Sequence, residues 1–224
     1  MIVKNWMTKD VITADIHNSL LTAMRLITKN NIGSLPVMKK GKLVGMVDSE
    51  DVRRALITTT TTGEIQKSGA IELTKVKEIM KENIVLVSLF STLDEVAELF
   101  IRNHISSAPV MDENGDVAGI ITKTDICEAL ISLAGRTNRE FDFGFQVDDS
   151  AGSIKAITDI IRSLGGRIAS ILISYDDVPE GFRNVFIRVY QIERANLDKL
   201  KNKLMPAATM LYMFDYQKPS RQIF

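Results

Sequence analysis

Apolar and polar residues alternate in one order twice within the first 134 positions of the chain. In the first copy the pattern predicts short strands at residues 11–14, 34–38 and 43–47. A helix is predicted after Ser19, a good N-cap residue, and a second helix begins at Asp51. Each copy is therefore predicted to have the order strand, helix, strand, strand, helix.

The second copy follows the first at a nearly constant distance. Met7 corresponds to Met80, 73 positions later, whereas Gly45 corresponds to Gly119, 74 positions later. One residue has therefore been inserted between Met111 and Gly119. A duplicated unit usually packs against its twin, and the cleft along the pseudo-twofold axis is a natural ligand site.

The pattern changes after Gly135. The remaining sequence predicts the order β-α-β-β-α-β of a ferredoxin-like split unit, with Ser153 as the cap of the first helix. The overall prediction is an α+β chain with five segments. They are a first repeat at 1–57, a threonine-rich linker at 58–73, a second repeat at 74–134, a C-terminal domain at 138–216 and a polar tail at 217–224.

Composition narrows the class of partner. The chain has 28 basic and 28 acidic residues and no net charge, which gives no electrostatic argument for a nucleic-acid or membrane-surface partner. No apolar run approaches the length that spans a bilayer, so we expect a cytoplasmic protein. Cys127 is the only cysteine, which excludes an intrachain disulfide, and we expect it to be a buried small residue.

Catalytic signals are weak. His17 and His104 are the only histidines and do not occupy equivalent positions of the two repeats. The sequence has no G-x-S-x-G, H-E-x-x-H or P-loop pattern. We therefore expect a protein that is not an enzyme and needs neither metal nor cofactor.

Three recurring motifs carry a family resemblance. VKxxM opens both copies, SxPVM occurs in both, and Gly-h-h-Thr-x-x-Asp (h, hydrophobic) ends at Asp125 in the second. With these motifs the first 134 residues resemble a tandem pair of cystathionine-β-synthase (CBS) domains. Residues 141–214, with the turn DDSAGSI, resemble an ACT domain, although Ala151 stands where that family has proline. The combination resembles the small acetoin-utilization-type (AcuB-like) regulators.

The CBS resemblance implies a regulatory adenosine ligand, such as AMP, ADP, ATP or S-adenosylmethionine, in the cleft of the pair. Asp125 matches the residue that accepts the ribose hydroxyls, Thr122 the one that binds phosphate, and Lys123 can add attraction for an anion. The complete set carried over to the second copy is Ile84, Val85, Ser106, Ser107, Ala108, Pro109, Gly119, Thr122, Lys123 and Asp125. Alternatively, Thr122 and Asp125 only cap the following helix.

The first copy departs from the motif. Its weaker candidate site consists of Ser34, Leu35, Pro36, Asp48 and Asp51. Asp48 stands in the place of the Ser or Thr, and two like charges about 4 Å apart cost roughly 4 kcal/mol at an effective dielectric constant near 20. We expect this cleft to repel phosphate and to be empty or to hold a ligand with a cationic group there, such as S-adenosylmethionine. Asp48 as a simple helix cap is the alternative.

The ACT resemblance implies a second, amino-acid ligand near Asp149, Gly152 and Ser153. Alternatively, Gly152 shapes the turn, Ser153 caps the helix, and the domain only dimerises. Both resemblances imply a homodimer and an unidentified regulated protein. The sequence thus predicts a ligand sensor, with a ligand-free scaffold, a regulatory subunit of an unidentified enzyme, and an enzyme as alternatives.

Overall fold

The computed structural model describes residues 1–61, 73–135, 137–138, 140–218 and 221–224. The chain divides into two compact units, Met1–Cys127 and Glu128–Phe224. The first unit contains the first repeat and the second repeat as far as Cys127.

The first repeat is a three-stranded sheet flanked by two helices. Its elements are β1 (Ala14–Asp15), α1 (Leu20–Asn30), β2 (Ser34–Lys39), β3 (Lys42–Asp48) and α2 (Ser49–Thr61). β1 pairs parallel to β2, and β2 pairs antiparallel to β3. Ser19 caps α1 as predicted, because its side chain accepts a hydrogen bond from the backbone of Thr22. Asn31 ends α1 in the left-handed conformation.

The second repeat has the same order. Its elements are β4 (Val87–Ser88), α3 (Leu93–Asn103), β5 (Ser107–Met111), β6 (Val117–Thr122) and α4 (Lys123–Leu133). Thr92 forms a capping box with Glu95 at the start of α3, and His104 ends the helix in the left-handed conformation. The predicted repeat is therefore present in the fold.

The segment before each repeat packs on the other repeat. The N–H of Val76 donates to the carbonyl of Asn18, and the N–H of Val3 donates to the carbonyl of Ser91, each at 2.9 Å. Val76 is fully buried in the core of the first repeat. The opening segment of the second copy therefore completes the core of the first repeat, and the two copies are interlocked.

The methionine of each VKxxM motif packs on the motif glycine of the other copy. A Cβ atom on Gly119 would lie 2.5 Å from the sulfur of Met7, and one on Gly45 would lie 2.7 Å from the sulfur of Met80. The Thr8 and Ile120 backbones also exchange hydrogen bonds, at 3.0 and 2.9 Å. The VKxxM and Gly motifs thus fit each other across the pseudo-twofold axis.

The C-terminal unit has the predicted β-α-β-β-α-β order. Its elements are β7 (Phe141–Asp148), α5 (Ser153–Ser163), β8 (Arg167–Ser174), β9 (Phe182–Tyr190), α6 (Leu197–Leu204), β10 (Thr209–Asp215) and β11 (Arg221–Ile223). The antiparallel sheet has the order β11-β10-β7-β9-β8. Fully buried Phe143, Phe145 and Ile187 pack against Ile157 and Leu200 of the two helices.

Several local predictions need correction. The tail contributes β11, which pairs with β10, so residues 221–223 extend the sheet. α2 continues to Thr61, into the predicted linker, while positions 62–72 of that linker lie outside the described residues. Gly152, with φ at 94°, is the N-cap of α5, and Ser153 is already helical. Cys127 is exposed on α4, so the expectation that it is buried is wrong.

The described residues contain neither a candidate membrane span nor a candidate metal site. Among them, no helix is long and apolar enough to cross a membrane. The same residues contain no group of three or more His, Cys, Asp or Glu side chains that could hold a metal ion.

Candidate functional site: two equivalent pockets in the N-terminal unit

The larger pocket, here called the Thr122 pocket, has a cavity volume of about 430 Å³. This volume lies in the range of about 300–1,000 Å³ that is usual for small-molecule sites. Both repeats line it, with Thr8, Asp10, Val11, Ile12, Asn30, Asn31, Ile32, Gly33 and Ser34 from the first copy and Ile120, Thr122, Thr124 and Asp125 from the second.

Thr122 and Asp125 cap α4 reciprocally. Asp125 Oδ2 accepts from the N–H and the hydroxyl of Thr122, both at 2.7 Å, and the Asp125 N–H donates to Thr122 Oγ1 at 3.2 Å. The capping alternative is therefore realised. It uses one carboxylate oxygen, and within the described structure no protein group donates to Asp125 Oδ1. A carboxylate accepts several hydrogen bonds, so capping leaves capacity for a ligand.

The equivalent pocket, here called the Asp48 pocket, is smaller, with a cavity volume of about 130 Å³. It too is lined by both repeats, with Ser34, Met46, Val47 and Asp48 from the first copy and Lys81, Asn83, Ile84, Val85, His104, Ile105, Ser106, Ser107 and Pro109 from the second. Asp51, the predicted ribose acceptor, is 11% exposed and does not line this pocket.

Lys81 joins the two carboxylates of the first copy. Its Nζ lies 2.8 Å from Asp48 Oδ2 and 2.9 Å from Asp51 Oδ2. Asp48 also caps α2, since its Oδ1 accepts from the Asp51 N–H at 2.7 Å. Lys81 therefore supplies a cationic group between Asp48 and Asp51, which the expected repulsion between Asp48 and a phosphate did not take into account.

The charges of this cluster stabilise one another. Burial by itself raises the pKa of the Asp48 carboxyl, but the hydrogen bonds from Lys81 and the Asp51 backbone outweigh it and leave that pKa below 3.8. The hydrogen bonds to Asp48 and Asp51 raise the pKa of Lys81 above 10.5. Both groups are consequently charged at neutral pH.

The two pockets are the same backbone site with different charges. Across the pseudo-twofold axis, Thr8 of the Thr122 pocket corresponds to Lys81, and Asp10 corresponds to Asn83. Asn31 and Thr122 are replaced by the imidazole of His104 and the carboxylate of Asp48. The Asp48 pocket therefore contains a lysine that forms ion pairs with two carboxylates, whereas the charged side chains that line the Thr122 pocket are both carboxylates.

The set predicted from the second copy does not meet in one pocket. Thr122 and Asp125 line the Thr122 pocket. Five others line the Asp48 pocket instead, namely Ile84, Val85, Ser106, Ser107 and Pro109. The reason is the exchange of segments between the copies. It brings the apolar lining residues of each copy next to the helix start of the other copy, which carries Thr-x-x-Asp at α4 or Asp-x-x-Asp at α2.

The remaining predicted residues lie as follows. Ser34 lines both pockets, and its hydroxyl is 2.7 Å from that of Ser107 at the pseudo-twofold axis. Four residues line neither pocket. Leu35 and Ala108 are buried in the sheets, Met7 covers Gly119, and Lys123 is exposed on α4. Pro36 also lines neither.

Sequence analysis missed the residues that differ most between the pockets, Thr8, Asp10 and Lys81. The constant offset of 73 already aligned Thr8 with Lys81 and Asp10 with Asn83. What the sequence did not show was that these positions lie beside the helix start of the opposite copy.

The C-terminal candidates are grouped around Arg183. Its guanidinium lies 3.1 Å from Asp149 Oδ1 and donates to Ser153 Oγ at 3.1 Å. Tyr175 is the other neighbour, with its hydroxyl 3.4 Å from Asp149. The structure therefore brings Asp149, Gly152 and Ser153 to one turn, where Arg183 satisfies the carboxylate.

Comparison with known proteins identifies the N-terminal unit. The model of the family "CBS domain" matches residues 3–58 and 76–132, together half of the chain. An uncharacterized protein of Methanocaldococcus jannaschii, MJ1426, is 28% identical over 155 residues, which cover 58% of this chain and 92% of that protein.

Two solved structures are similar to the same part of the chain. The CBS domain pair of protein MJ0100, in complex with 5′-methylthioadenosine and S-adenosyl-L-methionine, is 30% identical with a TM-score of 0.50 and covers 58% of this chain and 95% of its own. A Vibrio cholerae protein described as a candidate acetoin utilization protein (AcuB) is 26% identical with a TM-score of 0.52, covering 60% and 93%. These matches confirm the predicted tandem pair, while the ACT resemblance of the C-terminal unit stays a prediction.

Proposed function

The chain belongs to the CBS domain family, and we propose that its N-terminal unit is a non-catalytic, regulatory sensor of an adenosine-containing ligand bound in the Thr122 pocket. One observation carries the proposal. A cavity of about 430 Å³ at Thr122 and Asp125 is walled by both repeats, so a ligand there contacts both copies at once.

The lining residues suggest how such a ligand binds. Asp125 Oδ1 accepts the ribose hydroxyls, and half-buried Val11, Ile12 and Ile32 provide an apolar wall for the adenine. The complex of the MJ0100 domain pair with two adenosine compounds, at 30% identity, supports this class of ligand. Ligand binding then favours one arrangement of the two repeats, which is a population shift.

The Asp48 pocket has a different role in this proposal. The ammonium group of Lys81 already lies between Asp48 and Asp51, where the cationic group of a ligand would bind. The cavity of about 130 Å³ is also below the usual range for a small-molecule site. We infer one ligand per chain and an Asp48 pocket that stays without one.

For the C-terminal unit we propose an ACT domain that pairs two chains and takes an amino acid at the turn of Asp149, Gly152 and Ser153. The β-α-β-β-α-β order and the antiparallel sheet support this assignment. The likeness to the AcuB structure supports a role in acetoin utilization. We propose that this role is regulatory and is exerted on a partner protein.

Isothermal titration calorimetry on the full chain tests the sensor. The panel is 5′-methylthioadenosine, S-adenosylmethionine, AMP, ADP and ATP, with amino acids as a separate series. We expect one equivalent of an adenosine compound to bind. Asp125→Asn should weaken it at least about tenfold, because the amide is a poorer acceptor for two ribose hydroxyls but still caps α4.

The matched control is Asp51→Asn, at the equivalent position of the other repeat, which should change the affinity by less than about threefold. If Asp51→Asn removes binding and Asp125→Asn does not, the ligand is in the other pocket. If no adenosine compound binds the wild-type chain, the sensor is rejected in favour of a ligand-free scaffold.

A further inference from the structure

The Thr122 pocket has an unusual charge for a nucleotide site. Asp10 and Asp125 are its charged lining residues, and no lysine, arginine or histidine lines it among the residues that the structure describes. The neighbouring Lys9 and Lys123 are exposed and do not line the cavity. A bound phosphate would bring two negative charges to a site that already holds two.

The two carboxylates are free to act on a ligand. Within the described residues the Asp10 side chain has no hydrogen bond or ion pair, and Asp125 uses its Oδ2 for capping. Asp10 is exposed at the mouth of the cavity, and Asp125 is half-buried within it. The field of such a cleft attracts cations and repels anions.

The equivalent pocket shows that this charge is not imposed by the fold. There Lys81 stands at the position of Thr8, so a basic residue replaces a neutral one. Asn83 stands at the position of Asp10, so a neutral residue replaces an acidic one. These two differences make the Asp48 pocket more positive by two units, and Asp48 in the place of Thr122 returns one of them.

We propose that the Thr122 pocket selects adenosine ligands by charge, taking a cationic or neutral 5′ substituent such as a sulfonium or thioether and disfavouring a 5′-phosphate, with Asp10 as the specificity-determining residue. This inference rests on the proposed adenosine site and names its ligand class. It replaces the expectation that Thr122 and its helix start favour a phosphate.

Two ligand pairs isolate charge from shape. S-adenosylmethionine and S-adenosylhomocysteine differ by one methyl group and one positive charge, and 5′-methylthioadenosine and AMP share the nucleoside but differ in the charge of the 5′ group. For the wild-type chain, calorimetry should give at least about tenfold tighter binding of the sulfonium than of its thioether. AMP should bind at least about tenfold more weakly than 5′-methylthioadenosine, and both ratios should shrink at high salt.

Asp10→Asn, which copies the residue of the other repeat, should reduce both ratios by about threefold while leaving 5′-methylthioadenosine binding nearly unchanged. Asn83→Asp is the control, since it adds the same charge to the other pocket and should leave both ratios as they are.

The outcomes separate the two proposals. Tighter binding of AMP than of 5′-methylthioadenosine, equal binding of all four compounds, or ratios that Asp10→Asn does not change would overturn charge selection while the adenosine site stands. Absence of binding by all four compounds overturns the adenosine site and the selection together.

Discussion

The two pockets of the N-terminal unit share a backbone and differ in what neutralises their acids. In the Asp48 pocket the chain provides its own cation, Lys81, at 2.8 and 2.9 Å from two carboxylates. In the Thr122 pocket the equivalent position is Thr8, and the carboxylates of Asp10 and Asp125 have no basic side chain beside them among the described lining residues. An internal repeat therefore supplies its own control, because each pocket shows what the other would be with different side chains.

The difference teaches that duplication fixed the geometry and left the charge free to change. Residues that maintain the interlocked backbone are the same in both copies, as with Met7 on Gly119 and Met80 on Gly45. Some residues whose side chains line the cavities differ, such as Thr8 and Lys81, which pair with the opposite sheet through their backbones. A substitution at such a position changes the ligand without changing the fold.

The strongest test is to convert the Thr122 pocket into its twin. Thr8→Lys places an ammonium beside Asp125, where it competes with the ribose for the carboxylate, and we expect the affinity for S-adenosylmethionine to fall at least about 30-fold, or about 2 kcal/mol. Calorimetry measures the loss. Asn114→Lys, in the exposed turn between β5 and β6, adds the same charge at the ends of those strands opposite to Ser107 and Thr122 and should leave binding unchanged.

The reverse conversion should open the second pocket. Lys81→Thr leaves Asp48 and Asp51 without their cation, which a sulfonium ligand can then replace. We expect the stoichiometry of S-adenosylmethionine to rise from one to two per chain, the second site being the weaker. A stoichiometry that stays at one would show that the small cavity, and not Lys81, excludes the ligand.

The smallest effect concerns stability without ligand. The pKa of Asp48 is lowered in the folded chain, so its contribution to the free energy of unfolding is present above about pH 3.8 and is lost as the pH falls further. The pKa of Lys81 is raised, so its contribution to the free energy of unfolding is lost as the pH rises beyond 10.5. Lys81 is 58% and Asp48 37% exposed, which limits the pair to about 1 kcal/mol or less.

Thermal unfolding of wild type and Lys81→Thr checks this prediction. The wild type should melt about 1–3 °C higher at pH 7, and the difference should diminish in acid below pH 3.8. A difference that persists unchanged in acid would mean that Lys81 stabilises the unit through packing of its methylene chain and not through its charge.

Local order was predictable because it depends on near neighbours. Ser19 is predicted as a cap from its place before an apolar helical face, and it accepts the expected backbone hydrogen bond. Ser153 failed because Gly152 adopts a left-handed conformation that moves the cap one residue earlier. The prediction of a polar tail is wrong for residues 221–223, because a strand of three residues depends on pairing with its partner β10 and not on its own sequence pattern.

The sequence by itself determined the duplication, the order of elements in both units and the family of the N-terminal unit, because each follows from periodicity and motifs along the chain. Only the tertiary structure decided which side chains share a pocket. The opening segment of each copy packs on the other copy, so Ile84 lines the same pocket as Asp48, whereas Asp10 lines the same pocket as Asp125. Electrostatic energy depends on distances in space, and a separation of 33 positions along the chain does not reveal that Asp48 and Lys81 lie 2.8 Å apart.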